Sequence, residues 1–397
     1  RAFVAGALYE LGVLRGGSSK HVLIEPSRSE AEIVSCFVGR VLGLGYAGSK
    51  GAEPSRYRLY VEPLNPVKPE VFANKYQRIR LLKMARKKRG MEGGEGEEGF
   101  EEREERGIEG LRRNYRFTLV VEKEREEYRD AEDLALKILI ASLQLSGIGK
   151  GSRRGLGSLD IVGVEPQGFL GDAKNIGSFI EMIYSGIKNV VAQYAQKCPH
   201  EEVSTTSPLP LPPLPIISKH KTSSSQKSIE LARVCKIDTR NEEDFIYIHN
   251  FFVRTQRCIA LYGESGYKQM DSLRERRHAW FLGLPREGKV KRVRTGYLIP
   301  KEYRGDVIRR PSPIILAYHE NGNVFGGGTY ITILLSGDWP KKLVWTGETE
   351  DKDIDVDVSS IIDAYETFSQ EFKKYLMRRN LKLTLEWPQQ GAMVHGS

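Results

Sequence analysis

Between residues 147 and 157 the chain reads Gly-Ile-Gly-Lys-Gly-Ser-Arg-Arg-Gly-Leu-Gly, five glycines and three cations in eleven residues. Glycine permits positive φ and lets a backbone come close to another molecule. Main-chain N–H groups around Gly147, Gly149, Gly151, Ser152, Gly155 and Gly157, joined by Lys150, Arg153 and Arg154, suit phosphate oxygens, and an arginine can grip them with two parallel hydrogen bonds. Glycine richness alone is equally what a tight connector with solvated charges shows. A nucleotide-binding P-loop is excluded, because it needs Ser or Thr after the lysine and follows a strand. Here Gly151 follows Lys150, Gln144 and Leu145 stand upstream, and a helical pattern precedes the loop.

The wider charge pattern points the same way. The formal charge is +9 over 397 residues, and residues 271–310 hold twelve Lys and Arg against five Asp and Glu. A concentrated basic stripe is the footprint of a polyanionic partner. Arg274, Arg276, Arg277, Arg292, Arg294, Arg309 and Arg310 are the candidates to line such a path, with ordinary surface or ion-pair roles as the competing reading.

Other chemistries find less support. Cys36, Cys198, Cys235 and Cys258 lie far apart with no C-x-x-C pair, which argues against a zinc knuckle and a disulfide framework and for a reducing cytoplasm. Cys198 and His200 are close, but two ligands make no metal site, and neither metal nor cofactor is expected. Gly263-Glu-Ser265-Gly266 lacks the spacing of a G-x-S-x-G nucleophile. His21 and His278, near basic segments, are the candidates for a general base that deprotonates a ribose 2′-hydroxyl without metal. Seven scattered histidines with no partner spacing weigh against that nuclease reading. No stretch reaches the roughly 18 apolar residues of a membrane span.

These residues need a scaffold, and the periodicity sketches one. Residues 29–42 read as an amphipathic helix opened by Ser29 and Glu32 at capping-box spacing, with Ile33, Phe37 and Val41 on one face. Tyr57, Leu59 and Val61 alternate with Arg56, Arg58 and Tyr60 as in a half-buried strand. A strand over 115–121 follows, then a helix entered through Asp130 with Leu134, Ile138, Leu139 and Leu143 facing inward, the glycine segment, and a strand over 158–164. Strand, helix, glycine loop and strand make the second half of a ferredoxin-like domain. A helix over 175–194 comes next. Beyond it, 246–252 reads as a strand, 313–335 as two strands around Asn321-Gly322-Asn323, 360–376 as a helix and 381–387 as a last strand.

Two tracts interrupt this pattern. Residues 78–89 carry seven basic residues and 92–105 carry eight Glu, a solvated insertion by composition, with RNA contact by its basic half as the second reading. Residues 204–228, including Pro208 to Pro215, read as an extended linker or surface insertion unable to bury a core, or else a docking motif for a partner. Arg1 opens within a helical pattern and without a Met, so an N-terminal piece is expected to precede it.

The combination resembles the RAMP proteins of CRISPR effector complexes, and within them the first-subunit branch of the type III-B Cmr complexes. The motifs are Gly147 to Leu159, reading G-x-G-x-x-S-R-R-G-x-G-S-L; Leu282-Gly-Leu-Pro-Arg286 before a basic run; Arg309-Arg-Pro-Ser-Pro-Ile314; and, more weakly, Arg1-Ala-Phe with Ser55-Arg-Tyr-Arg58, which adds Arg56 to the candidate set. The family's early Thr-Pro, Gly-Gly and tryptophan-pair segments are absent. The resemblance implies an α+β chain of two ferredoxin-like (RRM-like) domains with charged and proline-rich insertions. The first would span 1–166, with an insertion at about 84–112 and the glycine loop 147–157; the second would span 167–397, with a disordered insertion at about 199–228. It also implies a noncatalytic subunit near the 3′ end of a guide (crRNA), helping capture target RNA beside other RAMP subunits, with no membrane and no small-molecule substrate. Two alternatives stay open: a metal-independent RAMP endoribonuclease processing guide precursors, and a stand-alone single-stranded RNA module stacking bases on Tyr57, Tyr60, Tyr115 and Phe117.

Overall fold

The computed structural model describes residues 1–48, 51–63, 70–72, 108–110, 115–121, 126–149, 151–198, 209–224, 227–253, 272–284, 286–290, 293–301, 310–346 and 351–388. Lys150, His200, Cys258, the 263–266 tetrapeptide, Arg292, Arg309, both charged blocks and the proline tract up to 208 lie outside them.

Helix α1 (Ala2–Glu10) is buried over most of its length, and its Gly6 lies so close to Ile217 that a Cβ there would stand 2.0 Å from the Ile217 carbonyl oxygen. Helix α2 (Arg28–Cys36) is opened by Ser27, whose hydroxyl accepts from Glu30 N at 3.2 Å while the Glu30 carboxylate accepts from Ser27 N at 2.7 Å. Such a reciprocal cap stabilises by about 1 kcal/mol. The predicted Ser29/Glu32 box is thus displaced by two residues, and Glu32 instead pairs with Arg28 across one turn. A π turn, Phe37–Val41, extends the helix.

Strands β1 (Tyr46–Gly48) and β2 (Gly51–Glu53) form a short hairpin. Of the next four, β3 (Tyr57–Pro63), β4 (Glu70–Phe72), β5 (Ile108–Gly110) and β6 (Tyr115–Val121), the first pairs with the last and β4 with β5, all antiparallel. Helix α3 (Arg129–Leu145) follows, with Ala131, Leu134, Ala135, Ala141 and Leu145 as its buried stripe. Leu139, predicted inward, is exposed, because it sits off that stripe. Helix α4 (Ile176–Tyr194) begins at Asn175, whose side chain accepts from Ser178 N at 2.8 Å.

The second half adds a hairpin of β7 (Lys221–Ser224) and β8 (Lys227–Glu230), then β9 (Ala232–Ile237), α5 (Glu242–Val253), the short α6 (Ser272–Glu275), β10 (Arg286–Val290), β11 (Val293–Leu298), β12 (Ile314–His319), β13 (Gly328–Leu334), β14 (Lys342–Thr346), β15 (Asp351–Asp355), α7 (Val358–Met377) and β16 (Leu383–Trp387). The region predicted as a strand at 246–252 is the helix α5. Asn241 caps it by accepting from Asp244 N at 3.0 Å, and its aromatic residues fall at helical spacing, so capping and packing override their β propensity. Phe251 and Phe252 of α5 meet Phe372 of α7 at 5.0 and 5.3 Å.

Strands β12-β13-β9-β16 form one antiparallel sheet. With α5 between β9 and β12, and α7 between β13 and β16, the sequence β9-α5-β12-β13-α7-β16 has the ferredoxin-like order 4-1-3-2. Helices α3 and α4 also reach this sheet, and β13 is buried along its whole length. Strands β10-β11-β14-β15 make a second antiparallel sheet.

The α+β class therefore stands, but only one ferredoxin-like unit is formed among the described residues. In the first half β3 and β6 pair as two strands alone, and 158–164 is not a strand. That segment reaches the edge of the second-half sheet through side chains instead: Ser158 Oγ accepts from Tyr318 N at 3.0 Å, and the Asp160 carboxylate accepts from Asn321 N at 2.9 Å.

Two expectations from composition are overturned. The tract at 209–218 is packed rather than extended into solvent: Leu211, Ile216 and Ile217 are buried, Ile217 N donates to Ala2 O at 2.9 Å, and Gly337 N donates to Pro212 O at 2.8 Å. Its apolar residues between prolines find a core because α1 and the chain after β13 supply main-chain partners. Cys36 and Cys198, 162 residues apart, are disulfide-bonded with Cα atoms 5.8 Å apart. Cysteine spacing along the sequence carried no sign of it, since the packing of α2 beside the end of α4 decides the proximity. Among the described residues no helix is long and apolar enough to cross a membrane.

Candidate nucleic-acid interface

The glycine loop is built by its glycines and held by its arginines. Gly149, Gly151, Gly155 and Gly157 all take positive φ, between 76° and 85°. A Cβ on Gly157 would stand 2.2 Å from Ile148 O, and one on Gly155 would stand 2.4 Å from the Phe245 ring. Gly147 bridges Ser158 and closes the loop's neck. At Gly149 no described atom comes within 4 Å of that position, whereas a Cβ on Gly151 would stand 2.9 Å from the Leu156 side chain, so Gly149 is where another molecule has main chain to approach.

The two arginines point the other way. Arg154 donates to Leu282 O at 2.6 Å and to Ile314 O at 3.2 Å, and its guanidinium lies 5.4 Å from the Phe252 ring. Its own carbonyl accepts from His249 Nδ1 at 2.9 Å. Arg153 donates to Ser312 O, and its carbonyl accepts from Leu316 N at 3.2 Å. Burial, and then the nearby Arg310 guanidinium, hold Arg153 below the usual arginine pKa, with Asp338 opposing them. The segment thus runs along β12, an edge strand, with Arg154 bridging Leu316. It covers an edge that would otherwise expose unpaired main chain. Both guanidinium groups expected to meet phosphate are half-buried and are satisfied by main-chain carbonyls, as a cation withdrawn from water requires.

Two more candidates prove internal. Arg56 is 4% exposed, pairs with Glu132 at 2.6 Å and donates to Arg40 O and Val41 O at 2.6 and 2.7 Å. Arg310 is 2% exposed, pairs with Asp338 at 2.6 Å, donates to Ser336 Oγ at 2.9 Å and packs on Trp339. Neither faces solvent, and each is paired inside the protein. Arg274 is buried as well. Arg276 is exposed and Arg277 half-buried, both just after α6, and Arg294 lies on β11 opposite Lys289.

The structure also brings together residues that spacing did not reveal. His319 is buried, with Nδ1 3.2 Å from Asp160 Oδ1 and Nε2 2.7 Å from Gln144 O. Burial works against ionisation of Asp160, but the hydrogen bonds from His319 and Asn321 N outweigh it and hold its carboxyl below the usual range. No pattern in the sequence links Asp160 to a histidine 159 residues away. Of the two histidines considered as bases, His278 has Nδ1 3.2 Å from Thr367 Oγ1 and Nε2 3.6 Å from Asp363, and burial lowers its pKa. His21 is half-buried and its carbonyl accepts from Lys341 N at 3.0 Å. Tyr57, one of the stacking candidates, donates its hydroxyl to Leu42 O at 2.8 Å, whereas Tyr60 is 47% exposed. Among the described residues no cluster of His, Cys, Asp and Glu is arranged to hold a metal.

No family model and no curated protein matches the sequence. Two solved structures are similar. One is the crystal structure of Cmr1 from Pyrococcus furiosus in its apo form, 18% identical over 97% of this chain and 90% of that chain, with a TM-score of 0.40. The other is a chain in the cryo-EM structure of the type III-B Cmr-beta bound to cognate target RNA, 14% identical over 94% of this chain and 90% of that chain, with a TM-score of 0.44. At these scores neither backbone decides function, which rests on the chain's own residues.

Proposed function

We propose that the chain is a noncatalytic RNA-binding subunit of a type III-B CRISPR (Cmr) ribonucleoprotein, lying near the 3′ end of the guide RNA and helping capture target RNA in antiviral defence. The observation that carries this reading is the glycine loop locked on the edge of a ferredoxin-like sheet with its tip at Gly149 open. Locking such a loop in advance lowers the ordering cost of binding. The basic segment around it supplies long-range attraction for a polyanion. The motif resemblance supplies the class of complex, with guide RNA, target RNA and other RAMP subunits as partners.

The test is a salt-dependent titration of the full chain with single-stranded RNA and DNA, with the same samples inspected for cleavage in the presence of a chelator. The expected result is RNA binding that weakens linearly in log affinity against log salt, without cleavage. Specific cuts that survive the chelator would establish the endoribonuclease instead. Recovery of the chain from cells as a single polypeptide, never in a large RNA-containing particle, would remove the subunit reading.

A further inference from the structure

Helix α6 closes with His278 N donating to Leu273 O at 2.8 Å and Arg277 N donating to Arg274 O at 3.1 Å, which places Arg277 at a φ of 59°. This pattern is a Schellman closure, and the left-handed position within it is ordinarily glycine because a Cβ is unfavourable there. Among the described residues the only other non-glycine at positive φ is Asn380, and asparagine tolerates that conformation. Arg277 therefore occupies a backbone site that argues against it, which points to a use for its side chain.

The side chain lies over an indole: Arg277 Cζ is 4.4 Å from the centre of the Trp345 ring. Trp345 on β14 is the register partner of Tyr297 on β11 and of Lys352 on β15. One row across the second sheet thus reads Tyr, Trp, Lys. Of the four tryptophans, Trp280, Trp339 and Trp387 are 0% exposed, whereas Trp345 is half-buried, as is Arg277 above it.

We propose that Trp345 and Arg277 form a stacking step for one base of single-stranded RNA, the indole taking the base and the guanidinium closing over it or on its phosphate. A planar cation over an aromatic ring, with Lys352 in register beside the ring and the exposed Arg276 next in sequence, is the combination that holds single-stranded nucleic acid without reading sequence. A phosphate alone would be better served by guanidinium groups free of an aromatic face. The inference rests on the RNA-binding reading above but assigns a site that the glycine loop does not include. The link between them is direct, because Arg154 holds the carbonyl of Leu282 in the turn that follows Arg277.

The experiment uses the full chain, with tryptophan emission followed during titration by a uridine oligonucleotide and by an abasic oligonucleotide of equal length, beside electrophoretic affinities. The expected result is quenching by the uridine strand, little quenching by the abasic strand, and no quenching in Trp345→Phe. Arg277→Gly relieves the backbone, so it is expected to unfold no earlier than the wild type and yet bind RNA about tenfold more weakly. Wild-type RNA binding with unchanged emission, together with normal affinity in Arg277→Gly, would overturn the stacking site while leaving the RNA-binding reading intact. Absence of RNA binding at every salt concentration would overturn both. Earlier unfolding of Arg277→Gly with unchanged RNA affinity would show the pair to be packing alone.

Discussion

Arg154 and Leu282, 128 residues apart, are joined by a 2.6 Å hydrogen bond from guanidinium to main-chain carbonyl. It ties the glycine loop of the first half to the turn after α6 in the second, and the same guanidinium reaches β12 at Ile314. Arg154→Ala leaves two carbonyls and an aromatic face without their partner. Its expected cost is about 2–4 kcal/mol of stability, read as a lower urea midpoint. Arg154→Lys should recover only part of this, since an ammonium does not span both oxygens. A wild-type midpoint in both variants would contradict the packing described.

Because Arg153 and Arg154 face inward, their joint replacement by Ala should weaken RNA binding only by displacing the loop. The slope of log affinity against log salt should stay near the wild-type value, because that slope counts phosphates neutralised at the surface. A shallower slope in the double variant would show that these cations reach RNA after all.

Two glycines of one loop should behave differently. Gly157→Ala places a Cβ 2.2 Å from a backbone oxygen, whereas Gly149→Ala meets no neighbouring atom. Both carry the roughly 1–2 kcal/mol penalty of a left-handed L residue, and only Gly157→Ala adds a backbone shift. Thermal unfolding should therefore rank Gly157→Ala well below Gly149→Ala; the reverse order, or equality, would count against the loop geometry.

Asp160 gives the seam a pH dependence of definite sign. Its folded pKa is depressed, so its stabilising contribution is present above the unfolded value, about 3.9, and is lost as pH falls through the folded value. Between pH 6 and pH 3 the wild type should lose more stability than Asp160→Asn. Parallel pH profiles for the two proteins would show that the carboxylate makes no net contribution there.

The Cys36–Cys198 bond closes a long stretch of chain and should restrict the unfolded state. Its removal by paired Cys→Ser replacement should lower stability by about 2–4 kcal/mol. Alkylation of the unfolded, unreduced protein followed by mass spectrometry checks the bond itself: modification of all four cysteines would disprove it.

How much of this was legible in the sequence depends on the range of the forces involved. Local order was: the helix over 175–194, the strand over 115–121, the hairpin around Asn321 and the helix before the last strand all come close to their observed positions. The glycine loop was also visible, because positive φ is a property of residue type. The strand misread at 246–252 shows the limit, since β-favouring aromatic residues there follow a helix cap and pack on α7.

What the amino-acid sequence determined by itself is therefore the composition of the interface, its glycines, its excess of cations and the elements that flank it. Only the tertiary structure decided which cations face outward. Arg56, Arg154 and Arg310 look alike in sequence to the exposed Arg276, yet packing obliges the first three to find Glu132, Asp338 and main-chain carbonyls. The same holds for the buried tract after Pro208, for Cys36 with Cys198 and for Asp160 with His319. Caps and periodicity act within a turn or two of chain, whereas burial and pairing act between whatever the fold brings within a few ångströms.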